Sequence, residues 1–479
     1  MEAGINMSDY SSNKTLVMKF GGTSVGSIEA MSQVVKIVTG ERANWARVVV
    51  VASAFSGVTN ALLESASQAA QGETQSLQAA ANTFMERHYA VLNALVKNQA
   101  LVETVKQDIN QLVFQFINLC QAISILGEAS PRALDAVVSL GERMSVRVIA
   151  AAIEAAGTPA RAVEATQLIV TDSDYQNAHP DMAATIKQTR LVLNPILDEG
   201  IVPVVTGFIA ATPQGVTTTL GRGGSDYSAG ILGAALPADE VWIWSDVDGI
   251  LTTDPRIVPE ARSIPELSYR EISELAFYGA KVLHPMTIRP VVEADISLRL
   301  CNTFNPDHPG TRLVKNEGKS NNGVIKAVTA VQKICMLTVE GRGMLGVPGV
   351  AARIFSTVAK TGTSVPLITQ ASSEQSVCFA IPISASDIIV KALEKTFAQV
   401  LLNRDIDRIW ASEEATIITV VGAGMINTPG VAGRVFSALG NQGVNIIAIA
   451  QGSSEVSISM VTDAASTRKA LNVINALIE

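Results

Sequence analysis

Leu16-Val17-Met18-Lys19-Phe20-Gly21-Gly22-Thr23-Ser24 decides how this chain is read. A short apolar run ends in two glycines and two hydroxyls. Residues 27–40 follow with helical spacing, and then Val48-Val49-Val50-Val51-Ala52-Ser53 runs on almost unbroken in β-branched residues. Such a run suits a strand covered on both faces. Strand, loop, helix and strand in that order predict a parallel α/β sheet.

Outward from this start, residues 60–126 are rich in Ala, Gln and Leu and poor in Gly and Pro, which predicts several helices. Residues 201–207 and 240–246 read as two further strands, and residues 268–280 as a helix. Asn, Pro, Asp, Gly and Lys then collect over residues 302–322, the clearest domain boundary in the chain. The last third repeats itself. Residues 337–380 laid on 418–461 without a gap agree at 19 of 44 positions. Pro348-Gly349-Val350-Ala351 matches Pro429-Gly430-Val431-Ala432, and Gln370 matches Gln451. Each copy reads strand, Gly/Pro loop, helix, glycine stop, strand, turn, strand. Two copies are too few for a solenoid, so a pair of small packed α/β modules is expected.

Composition narrows the function classes. In 479 residues, 48% are hydrophobic and 17% charged, enough for large cores and against disorder. The 36 basic and 44 acidic residues give a net charge of −8, and no basic block occurs, which argues against a nucleic-acid partner. Cys120, Cys301, Cys335 and Cys378 lie far apart, without a CxxC pair, so neither a zinc site nor a disulfide scaffold is expected, and a reducing cytoplasm is. No uninterrupted apolar run approaches about 18 residues, so no membrane span is expected. The polar first 14 residues have no leader pattern and read as a tail.

Three motifs carry chemistry. Lys19-Phe20-Gly21-Gly22-Thr23-Ser24 suits a phosphate, because glycine amides approach the anion and lysine adds charge. It reads equally as a Gly-Gly turn beside a solvated lysine. A Walker A loop is excluded, since Ser27 stands where lysine is needed. Gly221-Arg222-Gly223-Gly224-Ser225-Asp226 opens a helix whose free N–H groups and dipole favour an anion. Trp244-Ser245-Asp246-Val247-Asp248-Gly249 follows a strand and continues through Leu251 to Arg256, where ligands of such sheets bind. Ile257 at the twelfth position excludes an EF-hand. Gly341-Arg342-Gly343-Met344-Leu345-Gly346 fits GxGxxG, but its repeat partner breaks the pattern, and no dinucleotide site is assigned there. Glu142 reads either as a helix-start carboxylate or as the counter-ion of a substrate ammonium. His284 receives no role.

Taken in order, these motifs, with Ser56-Gly57-Val58-Thr59-Asn60 and Gly279-Ala280-Lys281-Val282-Leu283-His284-Pro285, resemble the aspartokinases of the amino acid kinase family. The repeat is similar to their paired ACT modules. The resemblance implies an α/β kinase domain with a parallel-rich sheet sandwiched by helices, followed by two ferredoxin-like modules. It divides the chain into a tail (1–14), a catalytic domain (15–318) and ACT modules at 319–408 and 409–479. It also implies ATP with Mg²⁺, L-aspartate as acceptor, 4-phospho-L-aspartate as product and a place at the entry to lysine, threonine and methionine synthesis.

Residue by residue, the resemblance implies that Lys19, Asp226 and Arg222 are catalytic. It assigns Lys19, Phe20, Gly21, Gly22, Gly224, Ser225, Ser245, Asp246, Leu251, Arg256, Lys281 and Val282 to ATP. Thr23, Ser24, Thr59, Glu142, Arg222 and Gly223 go to aspartate, with Arg222 on the α-carboxylate and Glu142 on the ammonium. No residue is assigned as a metal ligand. Leu251 departs from the family, which places a tyrosine there near adenosine. Met344, Val350, Ala351, Gln370 and Gln451 are implied for an effector. Threonine is favoured over lysine, because Pro366 and Ile447 cannot pair with a lysine ammonium. A homodimer through the ACT modules is expected, and no membrane. With no dehydrogenase after residue 479, the alternatives are a monofunctional kinase or the kinase portion of a bifunctional aspartokinase–homoserine dehydrogenase. A catalytically dead amino-acid sensor is the rival from another class, and intact Lys19, Glu142, Arg222 and Asp226 argue against it.

Overall fold

All six residues of Thr15–Phe20 are buried, so the segment is an interior strand with both faces covered. The computed structural model describes residues 14–278, 283, 285–315, 323–370, 375–452 and 455–478. Its first ten strands are β1 (Thr15–Phe20), β2 (Arg47–Ala52), β3 (Ala160–Val163), β4 (Val202–Thr206), β5 (Ile209–Ala211), β6 (Thr217–Thr219), β7 (Glu240–Ser245), β8 (Glu266–Ser268), β9 (Ser297–Asn302) and β10 (Thr311–Val314). Eight of them form one sheet, in the order β3-β4-β2-β1-β7-β9-β10-β8, while β5 and β6 pair as a separate antiparallel hairpin. Every pairing from β3 to β9 is parallel. The expected parallel-rich α/β sheet is therefore present, with an antiparallel β9–β10 pair beside it.

Helices α1 (Gly22–Val25), α2 (Ile28–Asn44), α3 (Val58–Ala70), α4 (Leu77–Leu95), α5 (Gln99–Leu126), α6 (Pro131–Ala155), α7 (Met182–Asp198) and α8 (Gly224–Ala235) connect the strands. Local chemistry sets their ends. Ser27 caps α2 by accepting from the Ala30 amide at 3.2 Å. Asn98 caps α5, which stops at Gly127 in the left-handed region at φ 70°. Ser130 caps α6 ahead of Pro131. The helical segment expected over 60–126 is α3 to α5. By length and composition α5 could cross a membrane. Yet Val102, Ile109, Phe116, Cys120 and Ile123 on it are buried in the first unit's core, with Leu62, Phe84 and Leu140 from its neighbours.

The described residues divide into two compact units. The first holds 14–250, 265–267, 283 and 285–315; the second holds 251–264, 268–278 and the residues from 323 onward. The boundary expected at 318 is thus crossed twice by earlier segments. The reason is apolar and polar anchoring within the second unit. Val258 packs with Ile325, Ile418 and Leu471, and the Thr252 hydroxyl donates to Asn475 at 2.7 Å.

The later elements are α9 (Tyr269–Phe277), α10 (Pro285–Glu293), β11 (Ala327–Glu340), α11 (Val350–Ala359), β12 (Leu367–Gln370), β13 (Ser376–Pro382), α12 (Ser386–Thr396), α13 (Ala398–Leu402), β14 (Arg408–Ala411), β15 (Ala415–Val421), α14 (Val431–Asn441), β16 (Ala448–Ala450), β17 (Ser457–Asp463) and α15 (Thr467–Asn475). One strand serves both repeat copies. Residues 327–331 of β11 pair with β15; past an irregularity that includes Lys333 at φ 59°, residues 334–340 pair with β13. The first copy then reads β11-α11-β12-β13-α12-β14, with β14 returning to β11. This is the ferredoxin-like order. The second copy starts at β15 and is completed by the first half of β11. The modules expected end to end at 319–408 and 409–479 are therefore interleaved, the first inserted into the second.

A buried ion pair secures this unit. Glu271, fully buried near the start of α9, accepts from the Ser268 and Ala423 amides at 2.7 Å each and pairs with Lys326 at 3.1 Å. Removing a buried carboxylate from a buried ammonium costs about 3–5 kcal/mol. Glu271→Ala is expected to lower the unfolding free energy of the second unit, measured by urea denaturation, by that much, and a loss under about 1 kcal/mol would contradict the burial argument.

Candidate active site

The carboxyl ends of β1, β2 and β4 point to one side of the sheet, where parallel α/β proteins bind ligands. A cavity of about 530 Å³ opens there. Lys19 enters from β1, residues 53–57 from the turn after β2, and Phe208 from the segment after β4. Lys19 is 8% exposed and its Nζ lies 2.5 Å from Asp226 Oδ1. Asp226 sits in the first turn of α8, where the helix dipole favours a carboxylate. The pair holds an ammonium against the cavity while meeting the charge that burial would leave uncompensated.

The glycines of the second motif have a steric reason. Gly223 caps α8 at φ 73°, a left-handed conformation that side chains disfavour. At Gly224 an added Cβ would stand 2.6 Å from the Phe208 ring. Phe208 itself is left-handed at φ 66°, and its amide donates to Ser228 Oγ at 3.0 Å. The close crossing of this segment and the start of α8 leaves helix amides facing the cavity.

Glu142 projects from α6. It is 3% exposed. One carboxylate oxygen accepts from the Ala54 amide at 3.3 Å, and the other, though buried, has no hydrogen-bond partner among the described residues. Burial pushes its pKa up to about 8, against the smaller pull of backbone hydrogen bonds. A buried carboxylate with one unsatisfied oxygen on a cavity is suited to a cationic ligand. Of the two sequence readings, this geometry supports the counter-ion. Arg222, exposed on the same cavity, makes no ion pair among the described residues.

Of the residues implied by the motifs, Lys19, Gly22, Thr23, Thr59, Glu142, Arg222, Gly223, Gly224, Ser225 and Asp226 line this cavity together. Others do not. The Phe20 side chain is fully buried and stacks on Trp244 at 5.8 Å, leaving only its backbone for a ligand. Gly21 follows in the same turn. Ser24 is buried and its hydroxyl shares a 2.7 Å hydrogen bond with Thr303, so it is spent on structure. Ser245 ends β7 and Asp246 begins the loop after it, which Asn302 and Asn305 brace through Asp248 at 2.9 and 3.0 Å. Leu251 and Arg256 fall in the second unit, where Arg256 bonds Asp254 at 2.6 Å. Lys281, Val282 and His284 lie outside the described residues. Among the effector positions, Met344 is buried, while Val350 and Ala351 begin α11. Gln370 ends β12 and Gln451 follows β16, both exposed and in equivalent places.

Several lining residues carried no assigned role from sequence: Ser53, Ala54, Phe55, Asn60 and Phe208. Position after a strand was the available signal for the first three. Phe208 had none, because a left-handed phenylalanine leaves no mark in composition.

Comparison with known proteins agrees with this geometry. Residues 14–302 match the amino acid kinase family, and residues 337–397 and 418–477 each match an ACT domain. The chain is 36% identical over 452 residues to the bifunctional aspartokinase/homoserine dehydrogenase 1 of Zea mays, covering 93% of this chain and 48% of that one. It spans about half the length of such bifunctional relatives. It is 33% identical to aspartokinase 2 of Arabidopsis thaliana, over 94% of this chain and 81% of that one. Among solved structures, aspartokinase III of E. coli in complex with aspartate and ADP superposes with a TM-score of 0.77 at 30% identity, over 97% of this chain and all of that one. The same enzyme in complex with lysine and aspartate gives 0.78 at 31%. The shared family over more than half of its length, and the likeness to full-length aspartokinases, place this chain in the amino acid kinase family, among its aspartokinases.

Proposed function

We propose that this chain transfers the γ-phosphoryl group of ATP to the side-chain carboxylate of L-aspartate, giving 4-phospho-L-aspartate. The observation that carries the reading is one cavity holding the Lys19–Asp226 pair, the half-satisfied Glu142 and an Arg222 with no ion pair among the described residues. The E. coli structure with aspartate and ADP supports it. The acceptor carboxylate is ionised near neutrality, so the reaction needs no general base. It needs two anions aligned and their repulsion offset. Arg222 takes the α-carboxylate and Glu142 the α-ammonium, which points the side chain at Lys19. The ammonium of Lys19 and the amides opening α8 face the charge that moves.

The turn after β1 fits phosphate oxygens. Gly22 lines the cavity, and a Cβ added there would stand 3.1 Å from the Ala54 carbonyl, so glycine suits the close packing of this turn. Mg²⁺, when bound with the nucleotide, would neutralise phosphate charge. No group of three His, Cys, Asp or Glu side chains gathers among the described residues, so the phosphates themselves would hold most of it. A second reading, the kinase portion of a bifunctional chain, is favoured by the half-length coverage of those relatives.

We further assign the ACT modules to feedback by an end-product amino acid, threonine rather than lysine, across a homodimer. Pro366 and Ile447 offer no carboxylate to a lysine ammonium. Ile368 on β12 and Ile449 on β16, about half exposed, supply apolar surface for a second copy.

Three outcomes are expected. A hydroxamate assay with aspartate and ATP gives product with the wild type and a loss of at least about a thousandfold with folded Lys19→Ala; full activity in that variant contradicts the role. The aspartate KM falls as pH rises toward about 8, because Glu142 must lose its proton to pair with an ammonium. The same sign makes the ligand-free protein less stable over that range, as the folded state holds this proton more tightly than the unfolded one. Glu142→Gln flattens the KM profile, and an unchanged profile contradicts the assignment. Threonine inhibits the reaction and lysine does not; inhibition by lysine alone reverses the effector assignment.

A further inference from the structure

Asp135 lies two turns before Glu142 on the same face of α6 and is 1% exposed. It does not line the cavity, yet its carboxylate is fully engaged. Oδ2 accepts from the Gln176 and Thr219 amides at 3.0 Å each, and Oδ1 accepts from the Thr219 hydroxyl at 2.8 Å. Thr219 ends β6, three residues before Arg222. Gln176 belongs to the segment that presses on the Arg222 turn: a Cβ at Gly221 would meet Asn177 Oδ1 at 2.7 Å and the Gln176 carbonyl at 3.2 Å. The Ala178 amide donates to the Thr219 carbonyl at 2.9 Å, and the Leu220 amide to Phe208 at 2.9 Å. Arg222 makes no ion pair among the described residues, so this backbone is what fixes the point from which its side chain starts.

We infer that Asp135 is a positioning residue for acceptor recognition: it holds the Arg222 turn at a fixed distance from Glu142, with α6 as the ruler between them. One rigid helix then sets the separation of the group that reads an α-ammonium and the group that reads an α-carboxylate. Ser145, further along α6, adds to this by donating to the carbonyl of cavity-lining Ser53 at 2.8 Å. The inference rests on the aspartate kinase reading and extends it.

Steady-state kinetics test it. Asp135→Ala raises the aspartate KM by about tenfold or more while the ATP KM stays within about twofold. Asp135→Asn, whose oxygen can keep both amide donors, recovers most of the loss. In an Arg222→Ala background, Asp135→Ala adds little, because both act through one guanidinium. If Asp135→Ala does not fold, Thr219→Val, which removes only the hydroxyl bond, shows the same split at about threefold. Equal rises in both KM values, full additivity with Arg222→Ala, or no rescue by asparagine would overturn the inference while leaving the kinase reading intact. A wild type that does not phosphorylate aspartate would overturn that reading, and this inference with it.

Discussion

Lys19 and Asp226 come from positions far apart in the chain, and their ion pair ties the end of strand β1 to the first turn of α8. The rest of the site is arranged around that tie. Each charge is mostly buried, and the other offsets the cost of its partial desolvation. The helix start also crosses the segment after β4 closely: a Cβ at Gly224 would meet the Phe208 ring, and Gly223 caps the helix in the left-handed region. The helix amides and the lysine ammonium thereby face the same volume. Phosphoryl transfer between two anions needs such a preformed positive region more than it needs a base.

The opposing charge is equally deliberate. Glu142 is held in an apolar helix with one oxygen unsatisfied, at a cost that an ammonium ligand would offset. On the proposed function, the site is positive where phosphate would arrive and negative where an α-ammonium would arrive, which orients an amino acid without closing on it. α6 supplies this carboxylate and, through Asp135 and Ser145, the positions of two flanking segments. The long apolar helices α3 to α5 matter here because they bury α6 and make it rigid.

Much of this could be read from sequence, for specific reasons. β1 and β2 were legible because a strand covered on both faces shows an unbroken apolar run. Lys19, Arg222 and Asp226 were legible because glycines mark their turns. Asp135 was not, since a polar residue in a helix pattern reads as a solvated face until its partners are known. The interleaving of the ACT modules was also hidden. The repeat aligns 337–380 with 418–461, and the first half of β11 has no counterpart inside either window. The irregular pairing around Lys333, which lets one strand serve both modules within a single seven-stranded sheet, follows from tertiary pairing. Leu251 and Arg256 looked continuous with the loop after β7, but apolar anchoring of their neighbours carries them into the second unit.

The central claim is that the side-chain carboxylate of aspartate attacks phosphorus in this cavity. It is tested most directly by labelling that carboxylate with heavy oxygen, running the reaction with ATP, and cleaving the product with hydroxylamine. Hydroxylamine attacks the acyl carbon, so the bridging oxygen leaves with phosphate. The account predicts one heavy oxygen in the released phosphate, lost when Lys19 is replaced by alanine. Phosphate without label, or label that persists in the Lys19→Ala protein, would contradict it.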